Sequence, residues 1–138
     1  MDGATARASH PRRVAFVILG EPASKANNRR LLLIDGKPRF VKSSKALAFA
    51  CSAALQIPVA ARVMFEGPVR VTLRMFYSTE RPDLDESIVL DVLQALTWQG
   101  KVTRPGVYRN DRQVREKHVF HDIDRVNPRV EVEVEPRE

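Results

Sequence analysis

Four acids in two short stretches carry a pattern from which chemistry can be read. Asp83, Asp85 and Glu86 lie in Arg81-Pro82-Asp83-Leu84-Asp85-Glu86, and Asp111 lies in Val107-Tyr108-Arg109-Asn110-Asp111-Arg112-Gln113-Val114. Carboxylates are hard oxygen donors. Two from one loop and a third from another make an oxygen-rich pocket for a divalent metal such as magnesium, which keeps positions for water and phosphate oxygens. The same residues have a purely structural use. Asp83 at a helix N-cap with Glu86 three residues later is a variant capping box, worth about 1 kcal/mol without any metal, and Asn110-Asp111 are ordinary turn residues. Spacing alone does not separate the two uses.

The frame around these acids is cationic. Lys plus Arg number 23 against 17 Asp plus Glu, a net charge of +6, which favours a polyanion such as nucleic acid or an anionic membrane surface, although excess charge also serves solubility. Arg70, Arg74, Arg81, Arg104, Arg109 and Arg112 flank the acidic loops as candidate phosphate contacts. The loop holding Lys25, Asn27, Asn28, Arg29 and Arg30 is basic and amide-rich, suited to phosphates or sugar. Trp98 and Tyr108 can either stack on unpaired bases or pack in a core or dimer interface. His118, His121, Asp122 and Asp124 resemble a transition-metal group, but on a strand His118 and Asp122 face away from His121, so a shared ion would require a break. No Walker loop, dinucleotide fingerprint or nucleophile elbow occurs, which leaves a nucleotide cofactor and serine hydrolysis without support.

These residues need elements to hold them. The chain has 138 residues, 43% hydrophobic and 29% charged, the size and balance of one globular domain. Its apolar runs fall far short of the ~20 residues that span a bilayer, so no membrane partner is expected. The stretch before Val14 has no apolar signal region, and Cys51 stands as a single cysteine; both point to a reducing, cytoplasmic compartment. Residues 1–13 read as a flexible basic tail and 14–135 as the domain. Val14 to Leu19 is a short buried strand stopped by Gly20 and Pro22. Asp35-Gly36 between Leu31–Ile34 and Lys37–Val41 predicts a hairpin. Ser43 or Ser44 caps a helix from Lys45 to about Gln56, with Ala46, Leu47, Ala50, Ala54 and Leu55 for its apolar stripe and Cys51 as a small packing residue. Val69, Val71, Leu73 and Met75 alternate with polar neighbours on a half-buried strand whose other face, with Arg70 and Arg74, is a candidate basic surface. Leu84 to Leu96 has helical spacing, with Val89, Val92, Leu93 and Leu96 inward and Gly100 as the stop. Arg115 to His121 and the Val130–Val134 alternation complete the strands. The expected fold is α+β, a single domain with a mixed β-sheet and two main helices.

Four segments taken in order extend the reading: Gly20-Glu21-Pro22-Ala23-Ser24-Lys25-Ala26-Asn27-Asn28-Arg29, Arg81 to Asp85, Gly106 to Val114, and Pro128-Arg129-Val130-Glu131-Val132. Together, over roughly Val14 to Glu135, they resemble the RusA family of Holliday junction resolvases. The resemblance implies a RusA-like fold and the activity of small dimeric endodeoxyribonucleases. These use magnesium, with manganese as an alternative, to cut four-way DNA junctions by paired nicks in recombination and repair, and many are carried by phages or prophages. Position by position, Asp83 and Asp85 match the family's Asp-x-Asp metal ligands and Asp111 the second acid of its Asp-Asp-x-x-Val motif, with Asn110 in place of the first. The implied catalytic and metal-binding set is Asp83, Asp85 and Asp111, with Glu86 as an additional ligand. The implied DNA contacts are Lys25, Asn27, Asn28, Arg29, Arg30, Arg74, Arg81, Arg109 and Arg112. Glu86 stands where the family has Asn, and Val89 where it has a catalytically important Lys; Lys25, Lys101 and Lys117 are the substitutes that other elements offer. Three readings follow: a structure-selective endonuclease acting on branched DNA, a catalytically impaired binder of branched DNA on the same fold, and a basic protein-interaction module whose acids only cap a helix.

Overall fold

The computed structural model describes residues 12–24 and 29–138. Most of the expected tail, together with Lys25, Asn27 and Asn28, lies outside the described residues. In chain order the elements are β1 (Val14–Leu19), β2 (Arg29–Ile34), β3 (Lys37–Lys42), α1 (Ser44–Gln56), β4 (Val69–Tyr77), α2 (Ser87–Leu93), β5 (Leu96–Trp98), β6 (Lys101–Arg104), β7 (Val114–Ile123) and β8 (Arg129–Pro136). The main sheet has the order β1-β8-β4-β7, with β8 antiparallel to β1 and β4, and β4 parallel to β7. A parallel pair cannot be joined by a tight turn. The crossover from β4 to β7 is what carries α2, the β5–β6 hairpin and the acidic loops.

One face of the sheet is covered and the other open. Val69, Val71, Leu73, Met75 and Tyr77 of β4 and Val130, Val132 and Val134 of β8 are buried, and they join residues of both helices in a single core. This is the period-two alternation of the sequence made physical. The intervening side chains stand on the open face, where charged groups pair within and between strands. Glu116 takes Arg70 and Arg137 at 3.0 Å each and His118 at 2.6 Å, and Arg129 takes Asp124 and Glu131. Hydrogen bonds from His118, Arg70 and Arg137 hold the Glu116 carboxyl down at about 2.

The hairpin β2–β3 turns at Asp35 and Gly36, both at positive φ, as the Asp-Gly pair predicts. The Ser43 hydroxyl caps α1 by accepting the Ala46 N–H at 3.1 Å. The buried face of α1 is Ala46, Phe49 and Ala53, while Leu47 and Leu55 are exposed, so the expected stripe is corrected by about a quarter turn. Phe49 is the largest apolar side chain available, and alanines one turn to either side let the helix approach closely around it. Cys51, expected to pack, is exposed for the same reason.

The second helix is shorter than its spacing predicts. It begins at Ser87 because the Asp85 carboxylate (Oδ1) accepts both the N–H (3.0 Å) and the hydroxyl (2.6 Å) of Ser87. Its N-cap residue is Glu86, which makes no side-chain cap bond, so the Asp83–Glu86 capping box is not formed. The helix stops at Leu93 because Gln94 turns extended and the Ala95 N–H donates to the Tyr108 carbonyl at 3.0 Å. Leu96, expected on the inward stripe, is exposed in β5. Gln99 (φ 51) and Gly100 (φ 78) form the β5–β6 turn, so Gly100 serves a hairpin rather than a helix end.

Candidate metal and nucleic-acid site

Asp85 is buried at the entrance to α2. Its backbone N–H donates to the Tyr77 hydroxyl at 3.3 Å, which ties the loop to the end of β4. Burial, against the hydrogen bond from the Asp85 N–H and helped by the charges of Asp85, Glu21 and Glu86, pushes that phenol up to about 12. The phenol therefore stays neutral among acids. Glu21 is fixed beside it by the Ser78 N–H (2.6 Å) and hydroxyl (2.5 Å).

Asp111 opens a single 3-10 turn, Asp111–Gln113, and the local sequence explains its rigidity. Asn110 caps the turn by accepting the Arg112 N–H at 2.8 Å. The Gln113 side-chain oxygen accepts the N–H groups of Arg109 and Asn110, and its amide nitrogen donates to the carbonyls of Phe65 (2.8 Å) and Gly67 (2.9 Å). An acid at position 110 would accept the same cap bond, and here an amide does so without adding charge. The Asp111 N–H donates to the Gln94 side chain at 3.0 Å, joining this turn to the end of α2.

The segment just before Asp111 is stitched on both sides. The Val107 N–H reaches the Leu93 carbonyl at 2.8 Å, the Tyr108 hydroxyl donates to the Leu90 carbonyl at 2.7 Å, and the Phe65 N–H reaches the Val107 carbonyl at 2.9 Å. Tyr108 is fully buried, a core residue rather than a base-stacking one. Burial raises its phenol, and Asp111 and Asp91 add to the effect.

The consequence of this stitching is a meeting of acids. Asp91 belongs to α2, whose end is joined to the Asp111 turn through Gln94, so the charge of Asp111 acts on the Asp91 carboxyl. Partial desolvation pushes the Asp91 carboxyl up, Lys42 opposes this, and the charge and hydrogen bond of Asp111, then the charge of Asp85, push it up again. Carboxylates held near one another repel, and a cation between them would relieve that repulsion. A cleft of about 520 Å³ opens beside Asp91, bordered by Lys42, Gln94 and Arg104, with Ala54 and Leu55 on its apolar wall.

The remaining candidates fall in several places. Asp83 is exposed in the loop before Asp85. Glu86 pairs with Lys117 at 2.7 Å. Arg81, Arg109 and Arg112 are exposed on the acidic loops. Arg74 stands on the open face of the sheet, away from the helices, 4.7 Å from the Phe120 ring centre, and Arg70 on that face is paired to Glu116 and Glu135. Arg29 and Arg30 belong to β2. His118, Asp124 and His121 are dispersed among Glu116, Arg129 and the Tyr77 ring. Among the described residues, no group of three or more His, Cys, Asp and Glu is gathered to hold a metal ion. Magnesium typically takes one or two carboxylates and keeps its waters, so Asp91 and Asp111 suit it by donor type.

Asp91, Lys42, Gln94 and Gln113 escaped the sequence reading. Asp91 had one visible signal, since it is the sole charge in Ser-Ile-Val-Leu-Asp-Val-Leu. No family model and no curated protein matches this chain. Its function has to be read from the site.

Proposed function

We propose that this chain is a magnesium-dependent, structure-selective endodeoxyribonuclease that nicks branched DNA, four-way junctions included, as a RusA-like homodimer with one site per protomer. The observation that carries the reading is the joining of α2, which bears Asp91, to the Asp111 turn through Gln94, with buried Asp85 at the entrance to the same helix, inside a chain of net charge +6. Acids forced together in a cationic protein are costly unless a cation joins them. A bound magnesium, or manganese, would supply an activated water and polarise the scissile phosphate. Asp91 and Asp111 would hold it, with Asp85 fixed at the entrance to α2 by Ser87 and Tyr77 and Asp83 exposed at the loop. Arg81, Arg109 and Arg112 would bind backbone phosphates around the site. The cytoplasm fits such a substrate, and no helix among the described residues is long and apolar enough to cross a membrane.

The family lysine position deepens the question. Val89 is fully buried, so α2 presents no cation there. Lys117 comes instead from β7, in register with Val71 and thus on the helix side of the sheet, and it meets Glu86 one residue from Asp85. We assign it the stabilisation of charge on the phosphate. Lys117→Ala is expected to lower the nicking rate about 10²-fold with junction affinity little changed. Equal rates in single-turnover assays would remove Lys117 from the reaction.

Buried Val89 also favours a second reading, a branched-DNA binder that no longer cuts. Fluorescence anisotropy with a labelled four-way junction and a matched duplex, run beside a nicking assay in magnesium and in EDTA, separates the possibilities. The proposal expects tighter binding to the junction, affinity that falls steeply with salt, and nicks in magnesium alone. Tight junction binding without nicks supports the second reading. No preference for any DNA at moderate salt would sink both and leave a protein-interaction module.

A further inference from the structure

The β5–β6 hairpin presents an unusual tip. Trp98, the chain's single tryptophan, is 70% exposed at the last strand pair before the turn, directly across from Lys101. The turn consists of Gln99 and Gly100, both at positive φ, the conformation that lets a two-residue loop follow the strand twist. Leu96 and Val102 are exposed along the same ribbon, and the Thr103 hydroxyl donates to the Leu96 carbonyl at its base. The root of the hairpin is part of the site: Gln94 accepts the Asp111 N–H, and Ala95 donates to Tyr108. Trp98 lies four residue steps beyond Gln94, a reach of about 13 Å in extended chain.

We infer that this hairpin is a wedge whose Trp98 stacks on a base left exposed at the branch point of the DNA while the acids act on a nearby strand. The inference rests on the nuclease reading and names what that site recognises. An indole is a flat apolar surface that any base can stack on, and the ammonium of Lys101 beside it complements the adjoining phosphate. Charge decides against a second copy of the chain as the occupant. A two-fold contact through this tip would bring Lys101 and Arg104 against their own counterparts, in a protein already at +6. A reach of about 13 Å corresponds to roughly four base steps along one strand, so wedge and site fall within one arm of a junction.

Because the tryptophan is single, its fluorescence reports on the tip without labelling. The full chain is titrated in EDTA with a four-way junction and with a duplex of the same sequence, and Trp98→Ala and Trp98→Phe are compared with the parent by anisotropy. The inference expects strong quenching with the junction and little with the duplex. It expects Trp98→Ala to lose roughly 5- to 100-fold in junction affinity with duplex affinity unchanged, and Trp98→Phe to recover most of the loss. Tight junction binding with unchanged emission, and equal affinity in Trp98→Ala, would overturn the wedge while leaving the nuclease reading intact. Loss of self-association in Trp98→Ala, with the affinity defect following the monomer fraction, would overturn it in favour of a subunit contact. Failure of the parent to bind any DNA would overturn both.

Discussion

Gly106→Ala is expected to melt about 10 °C below the parent and to lose the site with it. A Cβ at position 106 would stand 2.5 Å from the Gln94 carbonyl carbon, 2.6 Å from the Leu93 oxygen and closer still to the Ala95 nitrogen. All three are backbone atoms of the segment that ends α2, so no side chain can swing aside. Relief requires the 106–108 segment to move away from α2. That movement would stretch the Val107–Leu93 and Ala95–Tyr108 hydrogen bonds and the bridge from Gln94 to Asp111. Overpacking costs ~1–3 kcal/mol where side chains can adjust; backbone on three sides puts this position at the upper end. For a chain of this length, 3 kcal/mol corresponds to a shift of about 10 °C. Thermal denaturation followed by circular dichroism measures it, and a midpoint unchanged from the parent would show that the close approach is not a feature of the folded protein.

Asp111→Asn and Asp91→Asn are expected to move stability and activity in opposite directions. Without metal, the folded state holds the Asp91 carboxyl above its ordinary value of 3.8, first through desolvation and then through Asp111 and Asp85, against the pull of Lys42. An acid whose proton is bound more tightly in the folded state stabilises the fold at low pH. That contribution is lost as pH rises from the ordinary carboxylate value through the raised one. At neutral pH the pair therefore works against the fold, and either amide variant should melt higher than the parent in EDTA, with a flatter decline across that window. Magnesium should raise the melting point of the parent by linkage and leave the variants nearly unmoved. Nicking should fall by about 10²-fold or more, since an amide neither carries the charge nor offers the second anionic oxygen. Variants that melt lower in EDTA, or that respond to magnesium as the parent does, would separate these acids from any metal.

What the sequence made legible was local. The Val130–Val134 alternation, the Asp35-Gly36 turn and the Ser43 cap each depend on a few neighbouring residues, and each stands as expected. What escaped depends on contacts across the chain. The spacing from Leu84 to Leu96 is helical, yet α2 is cut at one end by the Asp85 side chain and at the other by a strand contact with Tyr108. The β5–β6 hairpin escaped because Gln99 is an uncommon residue at positive φ, so Gly100 read as a helix stop. Arg70 and Arg74 were correctly placed on one face of a strand, but which face stays open depends on where the helices pack. Asp91 lies 20 positions before Asp111, and their meeting is a product of the crossover, visible only once α2 and the Asp111 turn are joined through Gln94.

The central claim is that these acids cut branched DNA. The most direct measurement uses a four-way junction labelled on each strand in turn, resolved on denaturing gels after incubation with the parent, Asp85→Asn and Asp111→Asn in magnesium and in EDTA, at protein concentrations that saturate binding. The parent is expected to give paired nicks at symmetric positions on opposing strands, abolished by EDTA and by either substitution while the junction remains bound. Intact strands with the bound parent in both magnesium and manganese, or nicks that persist in the two variants, would contradict it.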